Sequence, residues 1–396
     1  MSKVLVFNIA QSGHTNPSLA LTQELVSQGE QVVYYADSRY QAVIEATGAI
    51  FRASDAPGLI ARLTSKRGAS DMAVFGGILD KLAPEVLAEK PDYVIYDSMC
   101  LWGRLLAGLL KAPAIRLSAT HAFNQNTFTP VQIALGMSPL IKVFLPLWQR
   151  SVRNIQAKYG LETISINELY IRPEMLDLVF LPKKFQLAAD TFGETFKFVG
   201  PSMGRAEIGL DDFPFATIDA SAKQVLYISL GTIANDRLDF YRECLAAFKN
   251  ATDWQVVMSV GKQIDTSQLG EVPSNFIVRD SLPQIKILEK ASVFITHGGM
   301  NSTMEALYYG IPLVVLPQMG EQQINAQQVA DLGVGVTLEN STRSKAAELI
   351  RAVEMVSQNP TYREKATMIQ QAIREAGGYQ QAVREIAQFK AQHLSA

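Results

Sequence analysis

The sequence predicts an α/β protein of two domains, each built on a parallel sheet. Three observations carry that reading. The chain has 396 residues, too long for one ordinary core, so two domains of roughly 200 residues are expected. Apolar runs of strand length alternate with helical patterns from end to end, as βαβ units require. The most informative polar turns follow those runs, and in open α/β sheets ligands sit at the carboxyl ends of strands.

The elements follow in order. "KVLVFNIA" is the first strand, followed by "QSGHTNPS" and a helix through Gln28. Thr15 or Asn16 suits the cap of that helix, Pro17 its first turn and Gly29 its C-terminal end. "QVVYYA", "DYVIYD", "APAIRLS" and "LDLVFLP" read as later strands of the same half. A stretch rich in Gly, Pro, Asp and Ser then separates two cycles. The second cycle opens at "QVLYISLGT". It runs through a helix near Phe240 to Lys249, "WQVVMSVG", "NFIVRD", a helix near Gln284 to Lys290, "SVFITHGG" and "PLVVLPQ". Gly377 and Gly378 break the tail before a final short helix, Tyr379 to Gln392. The expected divisions are a first domain at 1–205, a linker at 206–222, a second domain at 223–376 and a terminal helix at 377–396.

Composition excludes several classes. Hydrophobic residues make up 48% and charged residues 19%, which fits a globular chain and argues against disorder. A net charge of −2 gives no electrostatic reason for a nucleic-acid partner. Two cysteines, Cys100 and Cys244, build no disulfide framework and suit a reduced compartment. Met1 to Ala10 reads as a first strand and lacks the longer apolar region of a signal peptide. Pro139 to Trp148 is broken by Lys142 and Pro146 and falls far short of the ~20 residues of a membrane span. A core or pocket-lining helix is expected there, with no stable membrane insertion and a cytoplasmic location.

The chemistry concentrates in "ITHGGMNSTMEALYYGIPLVVLP", Ile295 to Pro317. A strand ends at His297, two glycines allow close backbone approach, and a helix starts near Asn301. Free N–H groups and the positive dipole end at such a start attract an anion. Ser302 adds a hydroxyl and His297 a possible donor. The spacing Ser302-x-x-Glu305 fits a capping box equally well, and that needs no ligand. Neither G-x-G-x-x-G after the first strand nor G-x-x-x-x-G-K-[ST] is present, which disfavours dinucleotide oxidoreductases and P-loop NTPases. His14 follows the first strand near a helix N-terminus, which disfavours the imidazolium, and Asp97 ends the strand "DYVIYD". Together they would make a general base with an orienting carboxylate; each would also serve as a plain helix cap. His121, with Ser118 and Thr120, follows another strand and is either an acceptor contact or an ordinary polar loop. His393 belongs to the tail. Phe123, Phe128, Phe144, Leu147 and Trp148 are candidates for a pocket lining or for core. The acidic pair Asp211 and Asp212 falls in the linker, so no metal site is expected.

The run from "RDSLPQIK" through "HGGMNSTMEALYYGIPLVVLPQMGEQQINAQQVADLGVG" resembles the nucleotide-sugar signature of family-1 UDP-glycosyltransferases, in particular their bacterial macrolide-type, YjiC-like branch. "GHTNPSLAL" and "YDSMCLWG" resemble the same family, so the likeness covers most of the chain. It implies a GT-B fold: two Rossmann-like doubly wound parallel-sheet domains facing across a cleft, an acceptor domain first and a nucleotide-sugar domain second, with the last helix crossing back. It implies His14 and Asp97 as the catalytic pair. It implies donor contacts from Ser229, Gly231 and Thr232, from Ser281, Leu282, Pro283 and Gln284, and from His297, Gly299, Met300, Asn301 and Ser302. Pro283 and Gln284 would line the base, Gln284 mainly through its backbone. Glu305 would hold the ribose, and Glu321 and Gln322 would read the hexose. Ser281 stands where many relatives carry a tryptophan that stacks on the base, and Glu321 stands where Asp is frequent.

The implied reaction is an inverting, metal-independent transfer of glucose from a UDP-sugar to a hydroxyl of a small hydrophobic acceptor such as a flavonoid, macrolide or triterpenoid. No cofactor or metal is implied beyond the donor substrate, and a monomer or weak dimer is expected. Two other classes share these features: a GT-B epimerase of UDP-sugars, and a non-catalytic UDP-sugar binder. Acceptor-dependent release of UDP separates them.

Overall fold

The computed structural model describes residues 2–54, 72–127, 129, 131–132, 140–203, 213–220, 223–232, 235–339 and 346–394. Phe128, Asp211 and Asp212 lie outside the described residues, as does the side chain of Phe144. The chain divides into two compact units, one of Met1–Arg205 with Glu375–Ala396 and one of Ala206–Arg374.

The first unit is built on a seven-stranded sheet in the order β3-β2-β1-β4-β5-β6-β7. Its strands are β1 (Lys3–Phe7), β2 (Gln31–Ala36), β3 (Ile50–Ala53), β4 (Tyr93–Asp97), β5 (Ala114–Ser118), β6 (Leu176–Val179) and β7 (Phe196–Phe198). Every pairing is parallel, and the near-continuous apolar runs fit strands covered on both faces. Alternation divides β1 between two cores. Leu5 and Phe7 join one with Val94 and Trp102. Val4 and Val6 join the other with Tyr34 and with Leu21 and Leu25 of the helix Ser12–Ser27. The terminal helix Gly378–His393 closes that second core with Ala382, Val383, Ile386 and Phe389. Its Lys390 ammonium donates to the buried Glu30 carboxylate at 2.5 Å.

The second unit carries a six-stranded parallel sheet in the order β10-β9-β8-β11-β12-β13. The strands are β8 (Gln224–Ser229), β9 (Trp254–Ser259), β10 (Phe276–Arg279), β11 (Val293–Thr296), β12 (Leu313–Val315) and β13 (Gly335–Thr337). One of its cores packs Leu226, Ile228, Val256 and Ile295 against Phe240 and Leu349.

Both sheets wind outward in two directions from their middle. The reversal lies between β1 and β4 in the first and between β8 and β11 in the second. Such a switch point leaves a crevice at the strand carboxyl ends, because the flanking connections depart to opposite sides.

Two differences from the sequence expectations are physical. The short edge strands β3, β7 and β13 are additional. The first helix begins at Ser12 with Gln11 as its N-cap, so Pro17 lies inside it. Thr15 is buried and its hydroxyl donates to the Ile9 carbonyl at 3.4 Å, not to a helix end. The apolar stretch near Trp148 sits in the helix Leu140–Lys158, with Trp148 buried and Leu147 56% exposed. Among the described residues no helix is long and apolar enough to cross a membrane.

Candidate functional site

At the first switch point, β1 and β4 run side by side with Phe7 opposite Tyr96. Asp97 ends β4, and His14 rises in the first turn of the helix that follows β1. The two meet: His14 Nδ1 lies 2.9 Å from Asp97 Oδ2. The Asp97 side chain is 1% exposed and that of His14 11%. The other carboxylate oxygen, Oδ1, accepts the Met99 N–H at 2.8 Å, which fixes the carboxylate plane. A carboxylate oxygen accepts, so the ring nitrogen facing Asp97 is the proton-bearing one. In the neutral ring the lone pair is then on the far nitrogen, Nε2.

At the second switch point, Ser229 at the end of β8 pairs with Thr296 at the end of β11. His297 leaves β11 directly. Its ring lies between two glycines. A Cβ built on Gly231 would stand 2.5 Å from the ring Cε1, and one on Gly299 would overlap Nε2. Gly231 has φ +77°, which an L side chain rarely adopts. Burial pushes the His297 imidazolium down to about 4, so near neutrality the ring is an uncharged donor and acceptor. Ser229 Oγ accepts the Gly231 N–H at 3.3 Å, and Thr232 is exposed.

The helix Met300–Tyr308 starts at Gly299 without a side-chain cap. The capping box allowed by Ser302-x-x-Glu305 is therefore not formed. Both residues turn to Gln284, whose amide nitrogen donates to Glu305 Oε2 at 2.5 Å and to Ser302 Oγ at 3.2 Å. The Gln284 carbonyl oxygen accepts the Tyr227 hydroxyl at 3.2 Å, and the Tyr227 ring stacks on Phe294 at 4.7 Å. Gln284 thus acts through its side chain as a clamp on two helix residues, beyond the backbone role the resemblance implies. Pro283 is buried, Leu282 partly so and Ser281 exposed beside it. Met300 points its side chain inward, while Asn301 is partly exposed.

Glu321 and Gln322 open the helix Gly320–Asp331. The Gln318 N–H donates to Gln322 Oε1 at 2.7 Å, which orients the amide with its NH₂ group as the donor end. Elsewhere, His121 is buried and stacks on Phe185 at 5.8 Å, and its Nδ1 accepts the Leu187 N–H at 3.5 Å. Ser118 and Thr120 are buried near it. Phe123 and Trp148 belong to the first unit's core. His393 ends the last helix against Phe389.

Sequence reading missed the residues that hold these turns. Asn325 donates to the Gly298 carbonyl at 2.8 Å, and Asn235 to the Gly231 carbonyl at 2.7 Å. The signal for Asn325 was its place three residues after Gln322, on one helix face. Asn235 had none beyond lying just after "SLGT".

Comparison with known proteins decides the family. The erythromycin biosynthesis protein CIII-like C-terminal domain matches residues 243–387. The chain is 36% identical to the NDP-glycosyltransferase YjiC of Bacillus subtilis, over 98% of this chain and 97% of that one. The chain belongs to the family-1 glycosyltransferases of the macrolide and natural-product type. It is a transferase. The oleandomycin glycosyltransferase of Streptomyces antibioticus is 30% identical, with 98% of this chain and 91% of that one covered. Among solved structures, the calicheamicin glycosyltransferase CalG4 superimposes with a TM-score of 0.84 at 28% identity, covering 99% and 98% of the two chains. The fold of this glycosyltransferase is GT-B, with parallel sheets of seven and six strands.

Proposed function

We propose that this glycosyltransferase moves a hexose, glucose, from UDP to a hydroxyl of a small hydrophobic acceptor, with inversion, without a metal, and with His14 as general base. The His14–Asp97 pair at the first switch point is the observation that carries the reading. Relatives named for oleandomycin and calicheamicin support a natural-product acceptor. The transferase relatives favour this reading over an epimerase or a binder.

His14 Nε2 takes the acceptor proton as the acceptor oxygen attacks the anomeric carbon. The bond to the diphosphate oxygen breaks, and its electron pair leaves with UDP. Attack opposite the leaving group turns an α-linked donor into a β-glycoside. Asp97 holds the ring and stabilises the imidazolium that forms. Negative charge grows on the leaving diphosphate. The N–H groups at Asn301 and Ser302, with the uncharged His297 ring, are suited to meet it. Glu305 suits the ribose hydroxyls, with Gln284 holding its carboxylate in place. Glu321 accepts and Gln322 donates toward the hexose. The diphosphate charge is met here by N–H donors in place of a cation.

The test is UDP release from UDP-glucose with a flavonol acceptor in EDTA, wild type beside His14→Ala. Release that needs the acceptor, survives EDTA and vanishes in the variant is expected. Acceptor-independent release points to hydrolysis or epimerisation, and full activity of the variant removes His14 from its role.

A further inference from the structure

Beneath the turn that carries His14 lies a polar cluster that the reaction does not use. The alternation that sends Val4 and Val6 toward the first helix sends Asn8 there too, one step past β1. Tyr34 of β2 pairs with Val6 and faces the same way. Ser18 comes one helical turn after His14. An apolar filling is the ordinary content of such a place, yet Asn8, Ser18 and Tyr34 are 0%, 1% and 0% exposed.

Their hydrogen bonds run in fixed directions. Asn8 Oδ1 accepts the Ile9 N–H at 2.7 Å, so the amide nitrogen must face the cluster. It donates to the Tyr34 hydroxyl at 2.8 Å and to the backbone carbonyl of His14 at 3.2 Å. Ser18 donates to the Thr15 carbonyl at 2.7 Å, which leaves its oxygen to accept the Tyr34 proton at 2.6 Å. Burial holds the Tyr34 hydroxyl far above the ordinary phenol range, so it remains a donor. The Asn8 amide nitrogen also reaches Ser18 Oγ at 3.4 Å, and the chain ends on carbonyl oxygens. It has no route for carrying a proton. What it does is grip the backbone of the turn at His14 and Thr15, in a helix whose Pro17 supplies no N–H to the carbonyl of Gly13.

We infer that Asn8, Tyr34 and Ser18 are positioning residues that set the His14 ring against Asp97 and the acceptor hydroxyl. The inference rests on His14 acting as the base. Its effect should fall only on proton removal, since the three touch no substrate.

The test compares wild type with Asn8→Ala and Tyr34→Phe, the latter losing one oxygen with the ring kept. Turnover is measured on a flavonol and on a thiophenol already ionised at the assay pH. Misplacing a catalytic group by about 1 Å costs up to about 100-fold. That loss is expected on the flavonol in Asn8→Ala and a smaller one in Tyr34→Phe. Both variants should keep the thiophenol rate within about threefold and leave the KM for UDP-glucose unchanged. Equal losses on the two acceptors would mean a scaffold role only and overturn the inference. His14→Ala must show the same acceptor split; if it does not, the base assignment fails, and the fault lies there. A readout independent of turnover is the ¹⁵N spectrum of histidine-labelled protein, with His14 assigned from His14→Ala. The wild-type ring should carry its proton on Nδ1, and both variants should move toward mixed tautomers. Unchanged His14 signals in both sink the inference even in an inactive enzyme.

Discussion

The two switch points share a topology and differ in chemistry. The first holds an ionisable pair, His14 and Asp97, 2.9 Å apart over a buried polar cluster. The second holds an uncharged histidine between glycines, beside a helix start with no side-chain cap. In the proposed reaction the first moves a proton, which needs a fixed ring angle and a matched partner, and the second receives an anion, which needs backbone N–H groups and room for close approach. The same βαβ geometry serves both because it delivers strand ends to a crevice and leaves the residue types free.

The sharpest way to break this contrast is to remove each function alone. His14→Ala should lower turnover about 10²–10⁴-fold, the usual worth of general-base help. UDP affinity measured by calorimetry should stay within a few-fold. A large loss of UDP affinity in this variant would mean that the first switch point also holds the nucleotide.

The converse variants lie in the second unit. Gly231→Ala forces an L side chain to φ +77° and drives its Cβ to 2.5 Å from the His297 ring. Strain alone costs about 1–2 kcal/mol, and the overlap adds to it. Gly299→Ala has ordinary backbone angles, φ −62°, and brings only the overlap. Weakened UDP binding is expected in both, with a fall in thermal stability that is larger for Gly231→Ala. Equal melting temperatures for the two variants would show that the left-handed turn relaxes freely.

The His297 ring gives a pH signature to the second unit alone. In the unfolded chain it titrates near its ordinary 6.5; in the fold burial holds it down to about 4. The unfolded chain therefore takes up the proton first as the pH falls. The stability contributed by the neutral ring is complete above about 6.5 and is lost between there and 4. Because the ring is partly exposed, that loss amounts to about 2 kcal/mol. Urea unfolding across this window should show a slope that His297→Gln removes; identical slopes in both proteins would contradict it.

The sheets were legible because their central strands are buried on both faces and read as unbroken apolar runs. The edge strands β3, β7 and β13 were not. They are three or four residues long, and β3 carries Arg52, so their form depends on the neighbouring ladder more than on their own pattern. The start of the first helix was misplaced for a related reason. Thr15 and Asn16 are good caps locally, but Asn8 and the Ile9 carbonyl engage the turn from outside the helix. The candidate site residues that follow strands were visible as polar interruptions. Of the residues that hold them, Asn8 and Asn325 reach partners 26 and 27 residues away and Asn235 turns back on Gly231; only Asn325 left a signal, its place on one helix face with Gln322.

Ser302 is where that distinction yields the smallest and most discriminating effect. Read locally it is one half of a capping box, and Ser302→Ala would then cost about 0.5–2 kcal/mol of helix stability. In the fold its oxygen accepts from Gln284, which also holds Glu305, and the helix has no side-chain cap to lose. The hydroxyl is partly exposed, and Gln284 keeps its second partner. Removing it should therefore move the ligand-free melting temperature by less than about 2 °C. UDP affinity should fall by a few-fold to about tenfold, the worth of one hydrogen bond, if the hydroxyl reaches the diphosphate. A melting shift with unchanged affinity would restore the cap and take Ser302 out of the donor site. An affinity loss without a shift assigns the hydroxyl to the nucleotide, and adding Gln284→Ala should then cost further affinity as Glu305 loses the Gln284 contact.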